Sequence, residues 1–188
     1  MIVDELELKG HWYYILSLEN DIANTSRFVE PSGQENVYSF EFAKILILAC
    51  TEVETVFRNL CEEVTGTKVS SNIGDYKSII LTKYPKIVDA EVTISRLYRN
   101  IRPFEGWDVG KLLWWDAYQG VKHDRGKTFD EATYMNAVTA LSALYILIFY
   151  LAKTCNISFK NYESKYFDSE YENVNLLAAP FKQLPDFQ

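Results

Sequence analysis

The chain has 188 residues, of which 48% are apolar, and this is enough for one domain of ordinary size with a sizeable core. Its net charge of -7 argues against a surface that adheres to nucleic acid or to an anionic membrane through charge alone. The cysteines, Cys50, Cys61 and Cys155, are odd in number and widely spaced, which indicates reduced, buried thiols in a cytoplasmic protein. The first ten residues are acidic where a secretion signal needs a basic flank and an apolar run.

The first helix expected from the sequence runs from about Trp12 to Val29 and ends at Pro31-Ser32-Gly33. A clearer helix follows, with Ser39 as its N-cap and Gly66 as the residue that stops it. Apolar residues recur along this second helix at the spacing of one helix face. They are Ala43, Leu46, Ile47, Cys50, Val53, Phe57, Leu60, Cys61 and Val64.

Glu54 interrupts this apolar stripe. An ionised carboxylate on a core-facing surface is costly unless it finds a partner. Arg58 follows one helical turn later and is placed to pair with Glu54 locally. Two interpretations stay open, because Glu54 either lies at the edge of the stripe and reaches water or points inward and meets a cation from another helix.

The middle of the chain is less regular. Residues Val69 to Pro85 contain a short helix, with caps at Ser71-Asn72 and Asp75. The next segment, Ile87 to Ile101, fits both a helix and an extended strand, and we interpret it as a helix. On that helix one side would carry three arginines, either as a phosphate-binding edge or as a solvated face paired with acids. They are Arg96, Arg99 and Arg102.

Two more helices are expected, one from about Asp108 to Lys122 and one from Phe129 to about Thr154. The second begins at the capping box formed by Thr128 and Glu131. Its segment Ala137 to Ala152 is almost unbroken apolar sequence, but it is shorter than the roughly 20 residues that span a bilayer. A helix buried on all sides in a soluble bundle is the better interpretation, and no membrane association is expected.

The sequence therefore predicts an all-α helical bundle built around this long apolar helix. Residues 1–157 are expected to form the bundle domain. Residues 158–188 are rich in Tyr, Asn and Glu and are expected to form a C-terminal tail that packs on the bundle.

The densest group of ionisable side chains lies just before the long helix. If the preceding helix persists, Tyr118, Lys122 and Arg125 fall on one side of it, with Gln119 and His123 on a neighbouring strip. Ammonium and guanidinium groups suit an anion such as phosphate, and an imidazole suits general acid–base chemistry near neutral pH.

The same residue types also occur in ion-pair networks inside helical bundles. In that interpretation Lys122 and Arg125 are the partners that Glu52 or Glu54 needs. Other kinds of site are not indicated, since the chain has two histidines and no cysteine pair at ligand spacing, and no metal is expected. No serine nucleophile motif, phosphate-binding glycine loop or dinucleotide fingerprint occurs, and no cofactor is expected.

Several stretches carry a family resemblance over about residues 25–150. They are Arg27–Pro31, Tyr38–Phe42, Ala49–Glu54, Trp114–Arg125, and Ala132-Thr133 with Asn136. With these stretches the chain resembles bacterial uncharacterised proteins of the HEPN-like group (higher eukaryotes and prokaryotes nucleotide-binding domains).

The resemblance implies an all-α bundle, often a homodimer, and for many members a metal-independent ribonuclease of a toxin, anti-phage or RNA-processing system. The usual HEPN motif is an arginine followed four to six residues later by a histidine on one helix. Here the order differs, because His123 precedes Arg125 by two residues and the nearest upstream arginine is Arg102. Inactive members of such families act as binding or scaffold modules.

Two functional hypotheses follow. In the first, a HEPN-like protein of a bacterial defence or stress system binds or cleaves RNA, with His123 as acid or base and Lys122 and Arg125 stabilising phosphate charge. The residues that would orient these groups or bind substrate are Tyr118, Gln119, Glu54 and Arg58. In the second, the chain is a non-catalytic module for homodimerisation or for an unknown partner, and Glu54, Lys122 and Arg125 form an internal ion network.

Overall fold

The computed structural model describes residues 3–70, 72–94, 97, 99–157 and 184–187. Its α-helices are α1 (Glu5–Thr25), α2 (Phe40–Thr65), α3 (Ile73–Lys83), α4 (Leu113–His123), α5 (Arg125–Thr128) and α6 (Tyr134–Thr154). The strands β1 (Val92–Ile94) and β2 (Arg99–Ile101) form a small antiparallel hairpin. Short 3-10 helices lie at Pro85–Asp89, Phe129–Glu131 and Pro185–Phe187. The predicted all-α bundle is confirmed.

Helix α2 has the bounds that its local signals predict. The Ser39 hydroxyl accepts a hydrogen bond from the Phe42 amide at 3.1 Å, which satisfies one donor of the open first turn. At the other end Gly66 adopts a left-handed conformation with φ of 69°, where a side chain would be strained. The predicted apolar stripe is buried, except that Ile47 and Val64 are only partly buried. The buried surface of α2 is wider than this stripe, because it also includes Phe42, Ile45, Ala49, Val56 and Asn59.

Helix α6 is the centre of the bundle and makes its most extensive helix–helix contact with α2. It also contacts α1 and α4, and most of its side chains are buried. Within the described residues α6 is the helix whose length and composition would let it cross a membrane, and 78% of its most apolar 18-residue window is buried inside the protein. A helix that is apolar on all sides is typical of such a buried core position.

Two predicted helix starts are wrong for reasons that involve capping. Helix α1 begins at Glu5 because the Asp4 side chain caps it, accepting from the Glu7 amide at 2.9 Å. Helix α6 begins at Tyr134, with Thr133 as its N-cap. Thr128 does not cap α6, since its hydroxyl instead donates to the Asp124 carbonyl.

The predicted start of α4 near Asp108 is also wrong, because α4 begins at Leu113. The preceding residues form a series of turns, in which Gly106 has φ of 73°. These turns place Trp107 in the core, where its ring lies 5.4 Å from that of Phe57.

The helix expected over Ile87 to Ile101 is wrong, and the extended alternative is the better one. Val92 and Ile94 are buried while Thr93 between them is exposed, the alternation of a half-buried strand. Arg99 lies in β2 and Arg102 follows it, so they do not form a helical edge, and Arg96 lies outside the described residues.

The predicted tail, residues 158–188, lies outside the described residues except for 184–187. That short segment packs on the bundle, where the Asp186 carboxylate accepts from the Tyr150 hydroxyl at 2.9 Å and from the Lys86 amide at 3.0 Å. The Phe187 ring contacts those of Tyr84 and Tyr150.

Candidate functional site

Helix α4 separates the candidate residues into a buried and an exposed group. Trp115, Tyr118 and Val121 face the core, whereas Lys122 and His123 in the last turn are exposed. The Lys122 ammonium also lies at the C-terminal end of the helix, where the helix dipole is negative. The buried side chains of α4 therefore anchor the helix, and its last turn presents Lys122 and His123 at the surface.

Tyr118 holds the Lys122 ammonium in place. The Tyr118 side chain is fully buried, and its hydroxyl accepts a hydrogen bond from Lys122 Nζ at 2.9 Å. This hydrogen bond, and to a lesser degree the nearby charge of Glu54, raises the pKa of Lys122. An ammonium has three donors, so Lys122 keeps two for another acceptor.

Glu54 on α2 lies near the same place, where it lines a cleft together with Lys122. Its charge raises the pKa of the Cys50 thiol, although burial of that thiol is the larger cause, and Lys122 acts in the opposite direction. Cys50 therefore lies close enough to Glu54 and Lys122 to sense both charges. Glu54 itself is half-buried and forms no ion pair with any residue that the structure describes.

A cleft with a volume of about 580 Å³ opens between α2, the start of α3, the turns before α4, and α4 itself. We call it the lysine cleft. Its polar lining residues are Glu54, Asn72, Lys77, Lys111, Asp116, Gln119 and Lys122, and its other lining residues are Ile73, Gly74, Trp107, Gly110, Leu112 and Trp115. The volume is in the range of sites for small organic ligands.

The lysine cleft gathers three ammonium groups and two carboxylates. Lys77 donates to the Gly110 carbonyl at 3.0 Å, and Lys111 lies 3.7 Å from Asp116. Each ammonium retains unused donors, so the cleft can hold an anionic group while Glu54 and Gln119 accept hydrogen bonds from the same ligand.

The sequence predicted three residues of this cleft and missed others. Glu54, Gln119 and Lys122 are the candidate residues from the sequence that line it. Lys77 and Lys111 were not candidates, because they are ordinary surface lysines in the sequence and meet only when the start of α3 packs beside the turns before α4.

The remaining candidates lie elsewhere. His123 and Arg125 are exposed at the end of α4 and in α5, and neither they nor the half-buried Arg58 line the lysine cleft. The ion network expected between Glu54, Lys122 and Arg125 does not form among the described residues, because Lys122 is directed to Tyr118 and α5 carries Arg125 into solvent. The structure therefore divides the predicted cluster into a cleft part and a solvent part.

A second polar cluster joins α1 to α2. His11 Nδ1 bonds to Glu52 Oε1, and Asn59 Nδ2 lies 2.9 Å from Glu7 Oε1 and 3.4 Å from His11 Nε2. Because a carboxylate only accepts, Asn59 must present its amide hydrogens, and His11 Nε2 then accepts while Nδ1 carries the proton. This arrangement satisfies a histidine that is only 6% exposed.

The sequence carried a signal for this cluster that the wrong start of α1 concealed. With the helix beginning at Glu5, His11 falls on the buried stripe of α1, in the same way that Glu54 interrupts the stripe of α2. The buried apolar members of that stripe are Leu8, Ile15, Leu18 and Ile22.

The described residues contain no group of three or more His, Cys, Asp and Glu side chains arranged to hold a metal ion. Cys50, Cys61 and Cys155 are free and buried, as predicted. Burial raises the pKa of both Cys61 and Cys155 to about 12, so these thiols are poor nucleophiles at neutral pH.

Comparisons of this chain with protein-family models, with curated proteins and with solved structures found no match in any of the three. The fold and the site define a helical bundle with a cleft lined in part by three lysines.

Proposed function

We propose that this protein is a HEPN-like RNA-binding protein of a bacterial defence or stress system, and that it cleaves RNA without a metal ion. The observation that carries the proposal is the gathering of Lys77, Lys111 and Lys122 in one cleft of a protein whose net charge is -7. The three lysines outnumber the two carboxylates of the cleft, Glu54 and Asp116, and this positive balance suits a phosphate group. The HEPN-like resemblance is the reason to propose RNA as the ligand and defence as the role.

Binding would follow from the unused hydrogen-bond donors of these lysines. Each lysine ammonium would act as a point charge that donates hydrogen bonds to phosphate oxygens. Gln119 and Glu54 line the same cleft and would form hydrogen bonds with a ribose or a base that enters it. Tyr118 acts as a positioning residue, because its hydroxyl fixes the Lys122 ammonium.

Cleavage would use the exposed end of α4. His123 takes the proton of a ribose 2′-hydroxyl, and the 2′-oxygen attacks the neighbouring phosphorus and displaces the 5′-oxygen of the next nucleotide. Lys122 and Arg125 stabilise the charge that develops on the phosphate oxygens. The departing 5′-oxygen takes its proton from a second acid, which a homodimer would supply as a second His123.

The test uses a labelled single-stranded RNA of mixed sequence, in the presence of EDTA, with binding followed by fluorescence anisotropy and cleavage followed on a denaturing gel. We expect the wild type to bind and cleave, His123→Ala to bind without cleaving, and Lys122→Met to be weaker in both. Lys153→Met, an exposed lysine on α6 away from the cleft lining, is the control and should match the wild type.

Each result has a defined consequence. Equal cleavage by the wild type and His123→Ala, or cleavage by neither, removes the catalytic part of the proposal and leaves RNA binding. A wild type that fails to bind RNA overturns the proposal. The alternative function, a non-catalytic dimerisation or interaction module, rested on an internal ion network, and the exposed position of Arg125 does not support that network.

A further inference from the structure

The described C-terminal segment, residues 184–187, fills a pocket on the bundle. The Tyr84 and Tyr150 rings, the Lys86 backbone and the Thr154 side chain form this pocket at the ends of α3 and α6. We call it the tail pocket. None of its four residues lines the lysine cleft, which lies at the opposite end of α3, so the tail pocket is a separate site.

The segment is held in the tail pocket through three side chains. Leu184 is 3% exposed. The Asp186 carboxylate uses both oxygens, accepting from the Lys86 amide at 3.0 Å and from the Tyr150 hydroxyl at 2.9 Å. The Phe187 ring lies 5.4 and 5.5 Å from the two tyrosine rings of the pocket. Another chain with the same side chains at the same spacing would make the same contacts.

The segment is also folded into a local turn. The Phe187 amide donates to the Leu184 carbonyl at 2.9 Å, and Pro185 lies inside this turn. Because proline has a fixed φ, the free segment has fewer conformations to lose when it docks. A short peptide of this sequence is therefore a suitable ligand on its own.

The walls of the tail pocket are held by contacts that do not involve the segment. The Thr154 hydroxyl donates to the Tyr150 carbonyl at 2.6 Å, so it accepts from the Tyr84 hydroxyl, which lies 2.7 Å away. The two tyrosine rings are 5.1 Å apart. The pocket is therefore pre-organised, and an incoming segment does not have to order it.

The chemistry of the pocket selects a carboxylate next to an aromatic ring. Burial, and then the hydrogen bond with Asp186, raise the pKa of the buried Tyr150 hydroxyl, so it stays protonated as a donor at neutral pH. Without a carboxylate, this hydroxyl and the Lys86 amide would both lose an acceptor, which is costly for buried donors. The tyrosine rings favour an aromatic partner through offset or edge contacts.

We infer that the tail pocket is a docking site for a short segment of a partner protein that carries an acidic residue followed directly by an aromatic one. The chain's own Asp186 and Phe187 occupy the pocket and compete with that partner. A segment of the same chain acts at a local concentration of the order of millimolar, so the partner must bind more tightly than the chain's own segment. This inference does not rest on the proposed function, and the two fail or succeed separately.

The test uses a labelled peptide in which Leu-Pro-Asp-Phe is flanked by glycine and serine and both ends are capped. Binding to the full chain is measured by fluorescence anisotropy. A chain with Asp186→Ala and Phe187→Ala, called the released variant, should bind this peptide about tenfold more tightly than the wild type, whose pocket is filled. A peptide with alanine in place of the aspartate should bind the released variant about tenfold more weakly, since it lacks two charge-assisted hydrogen bonds.

A change in the pocket itself provides the second arm. Tyr150→Phe in the released variant removes the donor but keeps the ring, and should weaken peptide binding about tenfold. Tyr145→Phe is the matched control, because Tyr145 is on the same helix and its ring packs on Trp12 of α1. This control should bind the peptide as the released variant does.

Each other outcome overturns the inference. It is overturned by equal peptide binding to the wild type and the released variant, by binding to neither, or by Tyr150→Phe having no effect. If the released variant no longer melts cooperatively, residues 184–187 are part of the fold and not a replaceable ligand. If sedimentation shows a dimeric wild type and a monomeric released variant, a second copy supplies the segment and a separate partner is excluded.

Discussion

At the scale of single residues, the site depends on how Tyr118 positions Lys122. A buried phenol on the core side of α4 reaches an exposed ammonium one helical turn later, and their hydrogen bond is 2.9 Å long. Such a contact reduces the number of conformations of a flexible lysine, so its charge is available at a fixed place in the cleft.

Removal of the Tyr118 hydroxyl tests this role. Tyr118→Phe should lower the free energy of unfolding by about 1 kcal/mol, the usual net worth of one hydrogen bond, as measured by urea denaturation. Because the pKa of Lys122 is raised, this stabilisation is present at neutral pH and is lost as the pH rises through the folded-state pKa of the lysine. Tyr38→Phe, on an exposed tyrosine, is the control, and a loss as large as that of Tyr118→Phe would contradict the assignment.

At the scale of elements, local capping signals predict both ends of α2 correctly. Ser39 and Gly66 bound α2 because each acts on its own backbone. The start of α6 differs, since the amides of Tyr134 and Met135 donate to carbonyls of the segment before α2. That tertiary contact makes Thr133, and not Thr128, the N-cap of α6. The contact cannot be predicted from the spacing of residues in the sequence.

The position of this cap is open to measurement. Thr133→Ala removes the hydroxyl that accepts a hydrogen bond from the Asn136 amide at 3.1 Å. This change should lower the free energy of unfolding by about 1 kcal/mol. Thr128→Ala removes only a hydrogen bond on the exposed 124–128 turn and should cost less. A larger loss for Thr128→Ala in urea titrations would mean that α6 begins where the capping box predicted.

The hairpin illustrates a different limit at this scale. The segment around Val92 and Ile94 fits two periodicities, and β-branched residues are tolerated in both. The strand is favoured because Val92 pairs with Ile101 and because alternate side chains of β1 are buried. Both are properties of the folded molecule.

At the scale of the whole molecule, the net charge does not indicate the local gathering of lysines in the candidate site. A net charge of -7 led to the expectation that charge alone would not bind nucleic acid, and the lysine cleft concentrates three cations despite that total. Glu54, Gln119 and Lys122 were predicted because an acid in an apolar stripe and a dense polar cluster are visible in sequence. Lys77 and Lys111 were not, because only the packing of α3 beside the turns before α4 brings them in.

The central claim is that the lysine cleft binds RNA phosphates, and the salt dependence of RNA affinity tests it most directly. For single strands each phosphate contact adds about 0.7 to the slope of log affinity against log salt, so changing Lys77, Lys111 and Lys122 together to Met should reduce the slope by about 2. A second triple variant, with Met at Lys68, Lys83 and Lys153, makes the same charge change at exposed positions outside the cleft lining. The account predicts a wild-type slope for this control, and equal slopes for the two triple variants would contradict it.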